Sequence, residues 1–316
     1  MELIRGLHNL RPRHRGAVAT IGNFDGVHRG HQAMLAQLQA QAACLGGVNT
    51  LITFEPHPLE FFRPDIAPSR LTSLRDKLDA LQEHGVERVL CLRFDGALAS
   101  IPAEQFVQRI LIDGLGVRYL LVGDDFRFGA GRRGDFSLLA QAAKQHDFEL
   151  EQMGTVAASG QRISSTRVRE ALAAGELELA GDLLGRPYCM SGRVIRGQAL
   201  GRNLGYPTAN IGFGGRHPPM TGIFAVRVHG LDKVYNGAAS LGYRPTVNGK
   251  QPLLEVYLLD FEGDLYGRHL RVEFCARLRE EERFESLEAL TQQIAADTEQ
   301  VRRYFANEQQ HFTTPR

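Results

Sequence analysis

The feature that most constrains this 316-residue chain is a change of grammar near residue 185. Before it, short apolar runs alternate with stretches whose apolar residues recur at helical spacing. GAVATIG (16–22), NTLITFE (49–55), RVLCLRF (88–94) and VRYLLVG (117–123) read as strands buried on both faces. Met34, Leu35 and Leu38 form one helical stripe, and Leu71, Leu74, Leu78 and Leu81 form another that Gly85 stops just past its end. Such alternation implies βαβ crossovers, hence a parallel sheet covered on both faces, with ligands beyond the carboxyl ends of its strands. After the change come YCMSGRVI (188–195), TGIFAVRVHG (221–230), KVYNGAASLG (233–242), LLEVYLLDF (253–261) and LRVEFCARLR (270–279). Turn residues punctuate these at Gly230-Leu231-Asp232, Asn248-Gly249 and Glu262-Gly263-Asp264. About five or six strands without intervening helices predict a small closed barrel. A helix from about Ser286 to Phe305 follows, with Ser286 as N-cap and Leu287, Leu290, Ile294, Val301 and Phe305 as the stripe that packs on it. The boundary falls around Leu184 to Tyr188, where LGRPY ends a helical stretch, and this predicts domains at 1–185 and 186–316.

Composition narrows the class. With 43% hydrophobic and 23% charged residues the chain has apolar surface for more than one core, which excludes wholesale disorder. Lys and Arg number 37 against 36 Asp and Glu, a net charge of +1 that argues against bulk electrostatic attachment to nucleic acid or anionic lipid. No apolar run reaches the ~18 residues of a membrane span. The start, MELIRGLHNLRPRHRG, lacks the apolar core of a signal peptide. Cys44, Cys91, Cys189 and Cys275 stand far apart with no C-x-x-C. The expectation is a cytoplasmic protein of a reducing compartment, with no nucleic-acid, membrane or obligate protein partner.

The most informative stretch is Gly22-Asn23-Phe24-Asp25-Gly26-Val27-His28-Arg29-Gly30-His31. It leaves a buried strand, crosses a glycine-containing turn and enters a helix, a path that aims backbone N–H groups at an anion. His28 and His31 share one face of the first turn and can donate to phosphate oxygens as charge develops on them. Gly30 permits close approach of a nucleotide to the backbone. Alone, two such histidines would read as a solvated loop; the strand, turn and helix around them favour phosphate. Ile163-Ser164-Ser165-Thr166-Arg167-Val168-Arg169 places three hydroxyls at a helix start before two arginines, the makings of a phosphate clamp or simply a capped helix with a basic face. Gly123-Asp124-Asp125-Phe126-Arg127-Phe128-Gly129 follows the fourth strand, where Asp124 and Asp125 could hold a ribose or a magnesium ion and Phe126 or Phe128 could stack on a ring; an acidic turn is the plain alternative.

The second half has its own polar exceptions. In Gly201-Arg202-Asn203-Leu204-Gly205-Tyr206-Pro207-Thr208-Ala209-Asn210, Thr208 and Asn210 alternate by two and point to one side of an extended segment. A hydroxyl and an amide oxygen side by side suit Mg²⁺, and the glycines upstream, Gly201 among them, suit a phosphate flap. Glu255 interrupts the apolar strand LLEVYLLDF, either as a solvated carboxylate or as a general base.

The H-x-G-H stretch resembles the motif of the nucleotidyltransferase superfamily. Together GNFDGVHRGH, FEPHPLEFF, GDDFRFG and ISSTRVR resemble the adenylyltransferase half of bacterial bifunctional riboflavin kinase/FAD synthetases, over about the first 185 residues. LGYPTAN, TGIFAVRV, GYRPTVNG, LLEVYLLDFEGDLYG and the stretch Arg279 to Phe284 resemble the riboflavin kinase fold, over roughly residues 186 to 305. The resemblance implies an α/β Rossmann-like nucleotidyltransferase domain with a parallel sheet, and a small Greek-key-like β-barrel with a C-terminal helix. It implies riboflavin, ATP and FMN as substrates, with FAD as product and Mg²⁺ accompanying ATP. Flavin is then a reactant rather than a held redox cofactor. Thr208 and Asn210 would handle Mg-ATP, Glu255 would be the catalytic base, His28 and His31 would act on the triphosphate, and Arg283 would line the flavin pocket. Where such families have Asn-Ile-Gly and Val-Tyr, this chain has Ser240-Leu241-Gly242 and Ile223-Phe224. Two other readings stand beside this one: an adenylyltransferase for another acceptor with the barrel as a binding module, and a flavin-binding regulator with little turnover. An RNA-binding barrel is disfavoured by the charge balance and the lack of a basic stripe with interleaved aromatics.

Overall fold

Six parallel strands make the N-terminal sheet: β1 (Glu2–Arg5), β2 (Ala17–Ile21), β3 (Val48–Glu55), β4 (Arg88–Arg93), β5 (Tyr119–Gly123) and β6 (Glu149–Met153), in the order β1-β4-β3-β2-β5-β6. The structure, a computed structural model, describes residues 1–316 apart from 159, 198–200, 202, 203, 214–216, 247, 248 and 314–316, and apart from the side chains of 158, 244–251 and 309–313. Arg202, Asn203 and the turn residue Asn248 of the sequence reading therefore lie outside the described residues.

The four strands read from apolar runs are the four central ones, and β2 is buried along its whole length. The two edge strands, ELIR and ELEQM, have no apolar run because an edge is half solvated. From β2 the chain moves to β3 and β4 on one side, then returns to β5 and β6 on the other, so the order reverses between β2 and β5. Helices Arg29–Leu45, Leu74–Glu83 and Phe136–His146 lie among these strands in the chain. Leu71 is buried but precedes the helix that the stripe predicts, and Gly85 takes the left-handed φ of +73° just after its end. Ile52, Leu90, Leu120, Ile110 and Leu139 sit in one core cluster, and Val18, Leu38, Tyr119 and Leu121 sit in a second.

After the short ladder of β7 (Ala157–Ala158) and β8 (Gln161–Arg162), a closed antiparallel barrel forms from β9 (Cys189–Ile195), β10 (Thr208–Gly212), β11 (Gly222–His229), β12 (Tyr235–Thr246), β13 (Gly249–Leu258) and β14 (His269–Arg279), in the order β10-β13-β12-β11-β14-β9. Alternation fills its interior: Ala209, Ile211, Val226, Ala239, Leu241, Leu254, Val256 and Val272 are all buried. Phe224 is fully buried and packs edge-on against Phe274 at 5.2 Å, so the Ile223-Phe224 departure puts a phenyl ring into the core. The terminal helix, Leu287–Thr313, runs beyond the expected Phe305. Its start is capped by Ser286, whose Oγ accepts the Ala289 N–H at 3.1 Å, and Val301 and Phe305 pack on Ala225 and Leu259 outside the barrel.

By contact density the chain forms two compact units. One comprises Met1–Pro68 with Lys77–Ser164; the other comprises Ser69–Asp76 with Ser165–Arg316. In the second unit Arg169 Nε donates to the Ser69 carbonyl at 2.6 Å, and Ser191 Oγ donates to the Asp76 carboxylate.

Candidate functional site

In the first unit the polar groups gather where β2 ends, beside the reversal of strand order, which is where an open parallel sheet receives ligands. Past Ile21 the loop bends sharply: Phe24, Gly26 and Val27 have φ of +48°, +84° and +44°. A Cβ on Gly22 would come within 2.9 Å of the Phe24 ring, so that turn requires glycine. His28 is the N-cap of the helix Arg29–Leu45, its Nδ1 accepting the His31 backbone N–H at 3.3 Å. That bond leaves the proton of a neutral His28 ring on Nε2. The His28 and His31 rings stack at 3.6 Å between centroids, and Phe24 stacks on His31 at 4.4 Å. Burial above all, then the neighbouring His28 and Lys77, hold the His31 imidazole well below its ordinary 6.5. His31 is therefore a neutral hydrogen-bonding ring, and its Nδ1 is buried without a hydrogen-bond partner, as is Asn23 Oδ1. Asp25 and His28 are buried in the same loop. A Cβ on Gly30 would stand 3.2 Å from His28 and 3.5 Å from the Ile163 carbonyl, so the start of ISSTRVR lies against this helix end.

After β5, Asp124 accepts from Thr155 Oγ1 at 2.5 Å and from Arg162 at 2.9 Å, and these hold its carboxyl below the usual range, Thr155 most strongly. Asp125 lies 3.2 Å from the same Arg162. Phe126 is half-buried and stacks on Phe128, which is buried against Phe106 at 5.4 Å. Beyond β3 and β4 lies an aromatic cluster for which sequence reasoning gives no role: Phe54, Phe61, Phe62 and Phe94, with ring separations of 5.3 to 5.8 Å. Phe61 and Phe62 are 41% and 54% exposed, an unusual concentration of solvent-facing phenyl rings at the ligand end of the sheet.

The second unit carries the other cluster on the outer face of the barrel. Ladder register sets Asn210 of β10 opposite Glu255 of β13, and Glu255 opposite Ser240 of β12. Partners in an antiparallel ladder share a face, so amide, carboxylate and hydroxyl form one rung across three strands. Thr208 and Tyr257 form the next rung. Ser240, from the departure noted in the sequence, thus stands beside Glu255, while Leu241 points into the core. Asn210 is buried and its Oδ1 has no hydrogen-bond partner; Glu255 is half-buried. A Cβ on Gly197 would overlap the Asn210 amide at 2.4 Å. One on Gly201 would overlap the Tyr206 carbonyl and lie 3.5 Å from Thr208 Oγ1. The Gly201 carbonyl accepts the N–H groups of Leu204 and Tyr206. The orphaned amide oxygen beside a hydroxyl fits a hard cation. No cluster of three His, Cys, Asp or Glu side chains suited to a metal occurs among the described residues. Ser165, Thr166 and Arg167 begin the helix Ser165–Ala174, with Ser165 and Arg167 half-buried and Thr166 exposed; Ser164 precedes it. Arg283 is exposed between β14 and the terminal helix.

Comparison with known proteins is consistent along the chain. Residues 10–167 match the FAD synthetase family model and residues 184–305 match the riboflavin kinase family model. A bifunctional riboflavin kinase/FMN adenylyltransferase of Pseudomonas fluorescens is 54% identical over 303 residues, covering 96% of this chain and 97% of that protein. The enzyme of the same description from Escherichia coli K12 is 50% identical over 307 residues, covering 96% and 98%. A crystal structure from Streptococcus pneumoniae, described as a macrolide-efflux protein, superposes with a TM-score of 0.79 at 30% identity over 96% of this chain and 99% of that one. No helix among the described residues is long and apolar enough to cross a membrane.

Proposed function

The chain belongs to the bifunctional riboflavin kinase/FMN adenylyltransferase family, and from that premise we propose which of its residues carry each step. It phosphorylates riboflavin to FMN and adenylylates FMN to FAD, the two matched regions corresponding to the two steps. The working division is 1–185 for adenylyl transfer and 186–316 for the kinase.

In the barrel, Glu255 takes the proton of the ribityl 5′-hydroxyl as that oxygen attacks the γ-phosphorus of ATP; the bond to the bridging oxygen breaks and ADP leaves. Thr208 and Asn210 would hold Mg²⁺, which would supply charge neutralisation for the ATP phosphates. Gly201 approaches the phosphates. In the N-terminal site an FMN phosphate oxygen attacks the α-phosphorus of a second ATP, and pyrophosphate leaves. His28 and the uncharged His31 offer ring N–H groups to the oxygens on which charge grows, with Asn23 as a further polar contact. Ser164 offers its hydroxyl to the triphosphate, and Asp124 and Asp125 face the ribose or flavin side. The exposed rings of Phe61 and Phe62 offer the isoalloxazine a flat apolar surface, a part assigned to Phe126 and Phe128 by sequence alone. Four cysteines that form no disulfide among the described residues, and reactants drawn from the metabolite pool, support a cytoplasmic location.

The observation that carries this reading is that each unit keeps buried polar atoms without partners at its own motif, His31 Nδ1 and Asn23 Oδ1 in one and Asn210 Oδ1 in the other. A buried unpaired acceptor costs stability and is retained where a ligand completes it. Incubation with riboflavin, ATP and Mg²⁺, followed by chromatography of the flavins, tests it: FMN appears first and FAD follows. Unchanged riboflavin across flavin redox states would overturn the reading.

A further inference from the structure

The helix Leu74–Glu83 has the sequence LRDKLDALQE, in which Lys77 reads as one more solvated charge, yet its side chain is only 3% exposed. An ammonium is costly to bury unless it is hydrogen-bonded. Lys77 Nζ donates to the Asn23 carbonyl at 2.7 Å. Asn23 opens the loop in which Phe24 and Val27 take positive φ, a conformation a β-branched valine rarely adopts. Such a path persists only when its surroundings hold it. Gln32 Nε2 ties the far end through the Val27 carbonyl at 2.8 Å; Lys77 ties the near end. Between these ties Phe24 stacks on His31, so the loop path fixes the imidazole.

We propose that Lys77 is a positioning residue of the adenylyl-transfer site, its ammonium clamping the Asn23 carbonyl and, through the loop, setting Phe24 and His31 in place. This rests on adenylyl transfer occurring at the His28–His31 loop. The clamp has an electrostatic side as well. The ionisable groups acting on His31 are His28, from the same helix start, and Lys77, and both disfavour a charged imidazole; Asp25 is buried in the same loop.

The full-length chain tests this with K77M, K77R and K77Q, assayed for FAD formation from FMN and ATP, with riboflavin phosphorylation by the same protein reporting fold. K77M is expected to lower kcat for FAD formation by roughly a hundredfold, the cost of a small misplacement at a reacting centre. Riboflavin phosphorylation persists, and the NMR titration of the His31 ring moves to higher pH. K77R, which keeps donor and charge, restores most of the rate and the low titration; K77Q, which keeps a donor only, restores part of the rate while His31 still titrates high. K77M at the parent rate with His31 unmoved would overturn the proposal. So would K77R as damaged as K77M, because packing rather than the ammonium would then be the cause. Should K77M not fold, K77Q with an unmoved His31 titration overturns it equally. H31Q separates the premise: if it retains FAD formation, the placement of the reaction fails, whereas a dead H31Q beside a fully active K77M refutes the Lys77 clamp alone.

Discussion

At the residue scale the proposed adenylyl-transfer site rests on a group whose surroundings fix its protonation. His31 is kept neutral by burial first and by His28 and Lys77 next, so it serves as a hydrogen-bonding ring rather than a cation. H31Q should lower FAD formation from FMN by about 10² to 10³, the usual loss on removing one oxyanion donor, with FMN formation from riboflavin retained. The same burial has a consequence for stability. The unfolded chain protonates this ring near its ordinary 6.5 while the folded chain does not, so the contribution of His31 is present above that pH and falls as pH drops below it. Denaturant titrations of parent and H31Q between neutral and acid pH should show the parent losing more stability over that window. Glu255 is the converse experiment: E255Q should stop FMN formation, by about 10² to 10⁴, and spare conversion of supplied FMN. His28, His31, Thr208, Asn210 and Glu255 stand out in the sequence because each is a polar exception at a strand end or within an apolar strand. Lys77 does not, because a lysine among Arg, Asp and Glu on a polar helix gives no sign that it is buried, and its acceptor is a backbone carbonyl far away in the chain. Nor does the sequence show that Asp124 is already held by Thr155 and Arg162, since only the fold brings those hydroxyl and guanidinium groups to it.

Elements were legible in proportion to how deeply they are buried. The central strands of the sheet and most strands of the barrel announce themselves by apolar runs or alternation, whereas β1 and β6, both edges, carry no apolar run. What fixes β1 is ionic. Glu2 is paired with Arg13, Arg88 and His14, and chiefly the Arg13 hydrogen bond lowers its carboxyl to about 2 from 4.5. A depressed carboxyl contributes above its unfolded value and loses that contribution as pH falls through the folded one. E2Q should therefore be less stable than the parent at neutral pH, with the gap closing between about 4.5 and 2 in denaturant titrations. The terminal helix is held in a different way. Arg279 grips Asp297 through two bonds of 2.9 and 2.7 Å, and the carboxylate, 5% exposed, also accepts from Gln293. R279M would strand that buried carboxylate, and breaking such a pair from one side costs about 3 kcal/mol. The unfolding midpoint of R279M should fall accordingly, with double replacement by R279M and D297L recovering much of the loss.

For the whole molecule the question is what joining two reactions in one chain achieves. The first reaction builds on riboflavin the phosphate that the second uses as nucleophile, so FMN is the only flavin both halves handle, and each FAD consumes two ATP. The His28–His31 loop and the Asn210–Glu255 rung lie in different compact units, each with its own core. Each step should then run on its own residues, with FMN released between them. An equimolar mixture of E255Q and H31Q proteins tests this, because the first can only adenylylate and the second can only phosphorylate. Given riboflavin, ATP and Mg²⁺, the mixture should make FAD after a lag in which free FMN accumulates. Dilution should lengthen the lag, since FMN must reach the capture concentration of the second protein in bulk solution. Trapping free FMN with an excess of a flavin-binding apoprotein should abolish FAD formation by the mixture and by the parent alike. If the parent alone escaped the trap, FMN would be passing within one molecule, and the advantage of fusion would be transfer rather than matched supply of two enzymes.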